Sequence, residues 1–226
     1  MIKMEFQAIE EKLKSFGVLK TIGEIANTNC QLIISAIPDN WYDDFRRKGF
    51  DEYAVFQDYW IDTLIAPGEC YNDYEFLDKN DCAAASEITF ACRGQSRGFE
   101  GEPPDWFSNW LDGEEGLNNT AVLVHKINGN ITGISCTATY AHDSEKGIVV
   151  WVRMMAVHPD CQGQGIATKL LMQTLQYGAE HGAKRAFLHT DTQNTNAIKM
   201  YLKAGFQPRI DEKQIFDMIW RERNDY

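Results

Sequence analysis

Hydrophobic and polar positions along this chain alternate between the period of strands and the period of helices. Apolar and β-branched residues dominate residues 147–157 and 187–191, which predicts two buried strands. Between these strands, residues 166–181 carry apolar side chains at helical spacing, which predicts a helix packed on a sheet. The residues expected to face that sheet are Leu170, Leu171, Thr174, Leu175 and Gly178. Strands and helices in this order indicate an α/β fold built on a mixed sheet.

Upstream of these elements the pattern predicts a strand over residues 73–77 and a helix over 81–92. A short helix begins at Glu102-Pro103-Pro104-Asp105 and ends at Gly113, because proline favours a helix start and glycine a helix end. Residues 121–127 and 131–141 form a predicted hairpin around Asn128-Gly129-Asn130, a composition that favours a tight turn. Residues 214–220 are a predicted closing strand.

The first 65 residues contain a second set of elements. We expect a helix over residues 4–26, a short buried strand over 31–35, a helix over 40–47 and one or two strands over 53–64. Pro67-Gly68 interrupts the pattern. The predicted organisation is therefore an extension over residues 1–68 followed by a domain over 69–226.

This extension repeats features of the C-terminal quarter at an offset of 156 residues. Leu32 falls on Leu188, Phe45 on Tyr201, and Gly49-Phe50 on Gly205-Phe206. We interpret residues 1–65 as a degenerate copy of the back half of the same fold, in which the packing positions are kept and the chemistry is lost. The alternative is an unrelated helical cap.

A turn with two glycines joins the strand over residues 147–157 to the helix that follows. Gly163 and Gly165 lie in the run from Val157 to Ala167, where unpaired backbone N–H groups are expected at the positive end of the helix dipole. Such a turn suits a phosphate or pyrophosphate, although glycines also end strands for steric reasons alone. The spacing excludes the P-loop, and an acidic residue is missing where the dinucleotide fingerprint needs one.

Two motifs give this turn a more specific interpretation. The run Gln162-x-x-Gly165-x-Ala167 is followed, about thirty residues later, by Asn194-x-x-Ala197-x-x-x-Tyr201-x-x-x-Gly205-Phe206. In order and register the pair resembles the GNAT superfamily of N-acetyltransferases over residues 147–206. The resemblance implies a mostly antiparallel GNAT-like sheet flanked by helices.

The resemblance also implies acetyl-CoA as the cofactor. Backbone N–H groups of the turn would bind its pyrophosphate, and the central strand would pair with its pantetheine amides beside a neighbouring strand that diverges. The residues that carry these roles are Met155, Ala156, Val157, Gln162, Gly163, Gln164, Gly165, Ile166, Ala167, Thr168 and Asn194. Lys169, Lys199, Lys203 and Arg209 would add long-range attraction.

Acid–base roles are carried over from the same motifs. Tyr201 resembles the family's general acid, because a phenol is protonated at neutral pH and donates to a departing thiolate. Tyr201 also fits an amphipathic core tyrosine. Many family members have a glutamate on the central strand, where this chain has Trp151, Val152 and Arg153. This departure leaves the general base open, with His189 and Asp191 as candidates that are equally compatible with structural roles.

The predicted function is an acetyl-CoA-dependent N-acetyltransferase in which a small amine or peptide amine attacks the thioester directly in a ternary complex. The aromatic helix with Trp106, Phe107 and Trp110 would cover the acceptor site, although such a stripe is also typical of a core. Two alternatives stay open. One is a CoA-binding regulatory or interaction module with little turnover, and the other is transfer of a longer acyl group.

Composition narrows the class of protein. The net charge of −11 over 226 residues argues against a nucleic-acid partner. Residues 51–115 hold 16 acids and 3 bases, whereas residues 153–209 hold 7 bases and 3 acids, which favours a cationic substrate near the first region and a polyanionic cofactor near the second. The apolar runs are too short for a membrane span. Six cysteines without metal spacing indicate reduced thiols and no metal site. We expect a cytoplasmic monomer or homodimer.

Overall fold

The computed structural model describes residues 31–35, 50–143, 146–209 and 217–222 of the chain. The chain divides into two compact units. The larger unit comprises residues 58–189 and 194–208, and the smaller unit comprises residues 1–57, 190–193 and 209–226. The predicted domain boundary after residue 68 stays a prediction, because residues 58–68 group with the larger unit and the C-terminal residues group with the smaller one.

Five neighbouring strands make up most of the sheet of the larger unit. The first two strands of the chain are β1 (Gln31–Ser35) and β2 (Phe50–Ile61). The five neighbours follow them in the chain and are β3 (Glu75–Phe76), β4 (Asn118–Ile127), β5 (Asn130–Asp143), β6 (Gly147–Val157) and β7 (Arg185–Asp191). Their order across the sheet is β7-β6-β5-β4-β3. All of these neighbours pair antiparallel except β6 and β7, which are parallel. The prediction of a mixed, mostly antiparallel sheet is confirmed.

Helices cover both faces of this sheet. Helices α1 (Cys82–Ala91) and α2 (Pro104–Asp112) pack on one face, and α3 (Ile166–Glu180) packs on the other. Helix α4 (Thr195–Lys203) joins β7 to the short strand β8 (Gln207–Pro208), which pairs with the end of β2. The order strand, turn, helix from β6 to α3 is the one that the sequence predicts.

Helix α3 lies very close to β6. A Cβ atom built on Gly178 would lie 2.4 Å from Cβ of Val150, and one on Gly133 of β5 would lie 3.0 Å from side-chain atoms of Ile166 and Leu170. Glycine at both positions lets the helix backbone approach the strands. The five residues predicted to face the sheet are all buried, so this part of the helix prediction is confirmed.

The hairpin of β4 and β5 turns at Asn128-Gly129, between the paired residues Ile127 and Asn130. Asn128 has φ of 52° and Gly129 has φ of 81°, which is the pair of left-handed conformations that a two-residue hairpin turn requires. Helix α2 likewise begins with Pro104 and ends before Gly113, which has φ of 96°. Both local predictions are confirmed.

The smaller unit contains β1, the first part of β2 and β9 (Asp217–Glu222). Strand β9 pairs antiparallel with both of the others. The predicted strand over residues 31–35 is present with these bounds, whereas the closing strand begins and ends later than residues 214–220 predict. The helices predicted over residues 4–26 and 40–47 lie outside the described residues, so the degenerate-copy hypothesis stays a prediction.

Candidate functional site

The glycine turn (residues 158–165) connects β6 to α3. A single 3₁₀ turn at Pro159–Cys161 leads into Gly163 and Gly165, which have φ of 75° and 82°. A Cβ atom built on either glycine would meet nothing within 4 Å, so packing does not explain the two glycines. Their left-handed backbone does, because a side chain there is strained whatever the space around it.

The first turn of α3 presents its backbone N–H groups outward. Gly165 is the N-cap and supplies no side-chain hydrogen bond to them. The nearby amide of Gln162 is used elsewhere, since its Nε2 donates to the carbonyl of Val157 at 2.9 Å and to Oε1 of Gln95 at 2.8 Å. Uncapped N–H groups at the positive end of a helix dipole suit an anionic ligand such as a pyrophosphate.

Beside this turn, β6 and β7 stop pairing. Their parallel register covers Val149, Val150 and Trp151 of β6, and the last pair joins Trp151 to Phe187. The rest of β6 keeps its pairing with β5 alone among the described residues, as far as Val157 with Gly133. The open edge contains Met155, Ala156 and Val157. The predicted divergence of the neighbouring strand is therefore present.

A β-bulge lies where this divergence begins. In the ladder with β5, Thr137 pairs with Val152 and Cys136 pairs with Met154, so Arg153 is the extra residue. A bulge bends its strand and increases the local twist. The bend falls within two residues of the last pair between β6 and β7.

A groove of about 390 Å³ runs between α3 and α4. It is lined by Tyr71, Thr168, Met172, Asn196, Lys199, Met200, Lys203 and Ala204. Two lysines from α4 give it positive charge. Lys169, the third lysine of the prediction, is bound to Asp73 at 2.9 Å.

Tyr201 lies on α4 and is 9% exposed. It packs in the cluster that contains Val152 and Leu171, and its ring meets Phe206 edge-on with centroids 6.0 Å apart. Burial raises the pKa of Tyr201 to about 12, because a phenolate loses its hydration there. The hydroxyl therefore stays protonated throughout the neutral range.

The other predicted acid–base residues occupy different surroundings. His189 of β7 is half-buried and its ring meets Phe187 edge-on. Asp191 is buried and belongs to the smaller unit, where its Oδ1 accepts a hydrogen bond from the backbone N–H of Gln193 at 3.2 Å. Asn194 precedes α4 and accepts through its carbonyl from Ile198 N–H, without capping the helix by its side chain.

The aromatic helix α2 has a divided role. Phe107 and Trp110 are core residues, and Nε1 of Trp110 donates to the carbonyl of Ala121 at 3.1 Å. Trp106 is only half-buried and stacks on Trp110, with ring centroids 5.5 Å apart. The guanidinium of Arg153 lies 5.9 Å from the ring centre of Trp106. Most of the stripe is therefore core, and Trp106 is the member that reaches the open part of β6.

The sequence did not single out Glu102, which is half-buried ahead of α2. Its backbone is held by α1, since its N–H donates to Oγ1 of Thr89 at 2.9 Å and its carbonyl accepts from Oγ of Ser86 at 2.8 Å. Burial raises the pKa of this carboxyl, and the charge of Arg153 opposes the rise. An acidic residue directly before a Pro-Pro helix start was the available signal.

Over the part of the chain that the structure covers, the described helices are all too short or too polar to cross a membrane. Nor do three or more His, Cys, Asp or Glu side chains gather at a possible metal position among those residues. The described cysteines, Cys70, Cys82, Cys92, Cys136 and Cys161, are free thiols.

Comparison with known proteins gives three kinds of match. Residues 82–206 match the family model described as the acetyltransferase (GNAT) family. An uncharacterized N-acetyltransferase from Methanocaldococcus jannaschii is 28% identical over 119 residues, which is 51% of this chain and 50% of that protein. A mycothiol acetyltransferase from Nocardia farcinica is 33% identical over 70 residues, 31% of this chain and 23% of that protein. The matches therefore span half or less of these relatives.

A solved structure supports the fold. The GCN5-related N-acetyltransferase from Sphaerobacter thermophilus superposes with a TM-score of 0.60 at 18% sequence identity. The superposition covers 98% of this chain and 68% of that one. At this identity the likeness concerns the fold alone.

Proposed function

Since the chain belongs to the GNAT acetyltransferase family, we propose that it is an acetyl-CoA-dependent N-acetyltransferase. The acceptor is a primary amine on a small molecule or peptide, and it attacks the thioester directly in a ternary complex. The observation that carries the proposal is the end of β6–β7 pairing at Trp151 and Phe187, next to a helix start with uncapped N–H groups.

The open edge of β6 and the glycine turn account for cofactor binding in this proposal. Acetyl-CoA supplies an activated acetyl thioester. The backbone N–H groups of Gly163 to Thr168 bind its pyrophosphate, with Gln162 holding the turn through Val157. Met155, Ala156 and Val157 offer backbone groups to the pantetheine amides, and Asn194 helps to fix the cofactor beside α4.

Tyr201 is the proposed general acid. Its burial and raised pKa, about 12, keep a proton available at neutral pH for the thiolate that leaves. Its membership of the buried cluster that contains Val152 and Leu171 supports a position near the start of the open edge of β6. His189 and Asp191 remain the proposed candidates for the base from the sequence, and substitution separates them.

A second candidate function is a CoA-binding module with little turnover. The observation in its favour is the absence of a carboxylate at Trp151, Val152 and Arg153 of β6, where many relatives place one. Such a module binds CoA through the same turn and open edge. It differs from an enzyme in the fate of the thioester alone.

The deciding experiment is an acetyl-transfer screen. Acetyl-CoA is mixed with pooled amines and the protein, and release of free thiol is followed. We expect release that depends on a particular amine and falls by about 10²-fold in Tyr201→Phe. Binding of CoA by calorimetry without thiol release from any pool favours the binding module, and failure to bind CoA contradicts both functions.

The two base candidates are tested by their pH–rate profiles. His189→Gln and Asp191→Asn each remove one titrating group while keeping a similar shape. The variant that loses the acidic limb of the profile identifies the base. If both variants keep that limb and the wild-type rate, neither residue is the base.

A further inference from the structure

Arg153 occupies the bulge of β6, and its guanidinium lies over two indole rings. It is 5.9 Å from the ring centre of Trp106 and 5.4 Å from that of Trp151. Both distances are within the range of a cation–π contact. The cation–π contacts with Trp106 and Trp151 hold the guanidinium beside the open part of β6.

Hydrogen-bond donors outnumber acceptors at this position. The guanidinium of Arg153 has five N–H donors, and among the described residues no hydrogen bond or ion pair to it is found. The indole Nε1 of Trp151 is buried and has no hydrogen-bond partner in the described part of the chain. Each buried donor left without an acceptor costs about 1–3 kcal/mol. The guanidinium is only half-buried, and without a carboxylate partner among the described residues it is a position where anionic oxygens of a ligand can bind.

The carboxylate of Glu102 faces the same neighbourhood. Glu102 and Arg153 both influence the pKa of the buried thiol of Cys136, which burial raises first and foremost. Glu102 precedes α2, and the guanidinium of Arg153 lies over the ring of Trp106 on that helix, so the two charged groups lie on the same face of the sheet. The charge of Arg153 lowers the pKa of the Glu102 carboxyl, which burial raises. The two side chains do not form an ion pair, since no distance between a guanidinium nitrogen and a carboxylate oxygen is within 4.0 Å. A ligand with both charges fits such a pair.

We propose that Arg153 and Glu102 form the acceptor subsite, and that the acceptor is a primary amine whose molecule also carries an anionic group. Arg153 binds the anionic group, held by the rings of Trp106 and Trp151. Glu102 binds the ammonium group and takes its proton. This inference rests on the proposed acetyl transfer and makes Glu102, in place of His189 and Asp191, the base that β6 itself lacks.

The proton balance of the transfer is complete with these residues. Glu102 accepts one proton from the ammonium group, which leaves a free amine. The amine nitrogen forms a bond to the acetyl carbon, and the carbon–sulfur bond breaks. The thiolate receives the proton of Tyr201, and the second proton released by the nitrogen restores Tyr201. Glu102 returns its proton to water, so one proton is released for each acetyl group transferred.

Matched acceptors test the anionic group. The probes are ω-amino acids of two to five carbons, their carboxamides, and 2-aminoethyl phosphate beside 2-aminoethanol. We expect kcat/KM to be about 10- to 100-fold higher for anionic members than for their neutral partners, the value of a charge-assisted hydrogen bond. The carboxylate and phosphate arms identify which anion is preferred. Equal rates for anionic and neutral partners overturn the proposal.

Substitution of Arg153 locates the preference. In Arg153→Gln the ratio between anionic and neutral partners should fall to near one, and Arg153→Lys should retain part of the ratio. Arg93→Gln is the matched control, because Arg93 is exposed and pairs with Glu100 at 2.8 Å. A ratio that survives in Arg153→Gln contradicts the assignment.

Substitution of Glu102 tests the ammonium side. Glu102→Gln should lower kcat by about 10²-fold for every amine and remove the acidic limb of the pH profile, with CoA affinity unchanged. Glu87→Gln on the exposed side of α1 is the control. An unchanged pH profile in Glu102→Gln removes the residue from the proposal.

Direct binding separates this proposal from the proposed function. Tryptophan fluorescence, which Trp106 and Trp151 report locally, is titrated with 2-aminoethyl phosphate and a five-carbon ω-amino acid in the presence of CoA. If no amine supports thiol release, acetyl transfer fails, and the subsite is judged by whether Arg153→Gln weakens this binding. If the protein acetylates neutral amines and its fluorescence does not respond to the anionic ones, the proposed subsite is contradicted and the proposed acetyl transfer is not.

Discussion

The two halves of β6 have opposite relations to their neighbours. From Val149 to Trp151 the strand pairs with β5 on one side and β7 on the other, and α3 covers it so closely that Gly178 touches Val150. From Val152 to Val157 the strand keeps β5 and loses β7. One half has no free edge, and the other presents a free edge next to the glycine turn.

This contrast separates stability from function along a single strand. The closed half is paired on both edges and covered by α3, so substitutions there should change the stability of the fold. The open half offers backbone groups that β7 does not use, so substitutions near it should act on ligands. Two glycines make the contrast testable. A Cβ atom built on Gly178 would clash with Val150, whereas one built on Gly165 would meet no atom within 4 Å.

The largest effect is expected for Gly165→Trp on the open side. A bulky side chain at this position blocks the approach of a pyrophosphate, so CoA affinity should fall by about 10³-fold or more, the loss of several charge-assisted hydrogen bonds. Gly129→Trp is the matched control, because Gly129 also has positive φ and empty space around it. Calorimetric affinity for CoA and the thermal midpoint are measured for both. Similar CoA affinities in the two variants would remove the glycine turn from the site.

On the closed side, Gly178→Ala should destabilise the fold by about 3 kcal/mol, because overpacking of a tight contact carries a cost of this order. The new methyl would lie 2.4 Å from Cβ of Val150. Urea unfolding measures the loss, and Val150→Gly in the same chain, which removes this Cβ atom, should recover part of it. CoA affinity of the folded protein should stay at its wild-type value. An additive double variant would show that the contact is not the cause.

Tyr201→Phe tests the residue that lies next to the junction of the two halves. Turnover should fall by about 10²-fold with little change in CoA affinity, the usual contribution of a general acid. The pKa of about 12 also predicts that Tyr201 causes no alkaline loss of activity near pH 10, since the phenol is still protonated there. Tyr177→Phe is the control, because Tyr177 is a buried tyrosine of α3 that donates to the carbonyl of Asn119. Wild-type rates in Tyr201→Phe would exclude the acid role.

The smallest effect belongs to the lysines of the groove. Lys199→Gln and Lys203→Gln should each weaken CoA binding by about 2- to 5-fold, as exposed charges contribute less than about 1 kcal/mol. The difference should vanish at high salt, because screening removes it. Lys126→Gln serves for comparison, since Lys126 pairs with Glu75 away from the groove. A loss that is independent of salt would indicate contact rather than attraction.

The elements of the larger unit were accessible from the sequence for definite reasons. β6 was predicted with its observed bounds because an apolar, β-branched run, interrupted only by Arg153, ends at His158-Pro159. The turn at Asn128-Gly129 was predicted because few other residue pairs accept two left-handed conformations. The glycine turn was predicted by two motifs in register, and the family match over residues 82–206 confirms the resemblance.

The surroundings of Arg153 were not accessible in the same way. Arg153 is far from Glu102 and Trp106 in sequence, and its approach to them depends on how α1, α2 and β6 pack. The bulge itself follows from the register between two strands, which periodicity within one strand does not report. The sequence showed that β6 lacks the usual carboxylate, and the three-dimensional arrangement was needed to find Glu102 in the same neighbourhood.

Because of the bulge, Arg153 is an inserted residue that has no partner in the ladder with β5. Trp151, Met154 and Ala156 share one face of β6, and Val152 and Met155 share the other, as they would if residue 153 were left out. Deleting that residue would restore a regular ladder without turning any other side chain of β6 to the wrong face. The strand thus has one position at which a residue can be gained or lost while the core remains as it is.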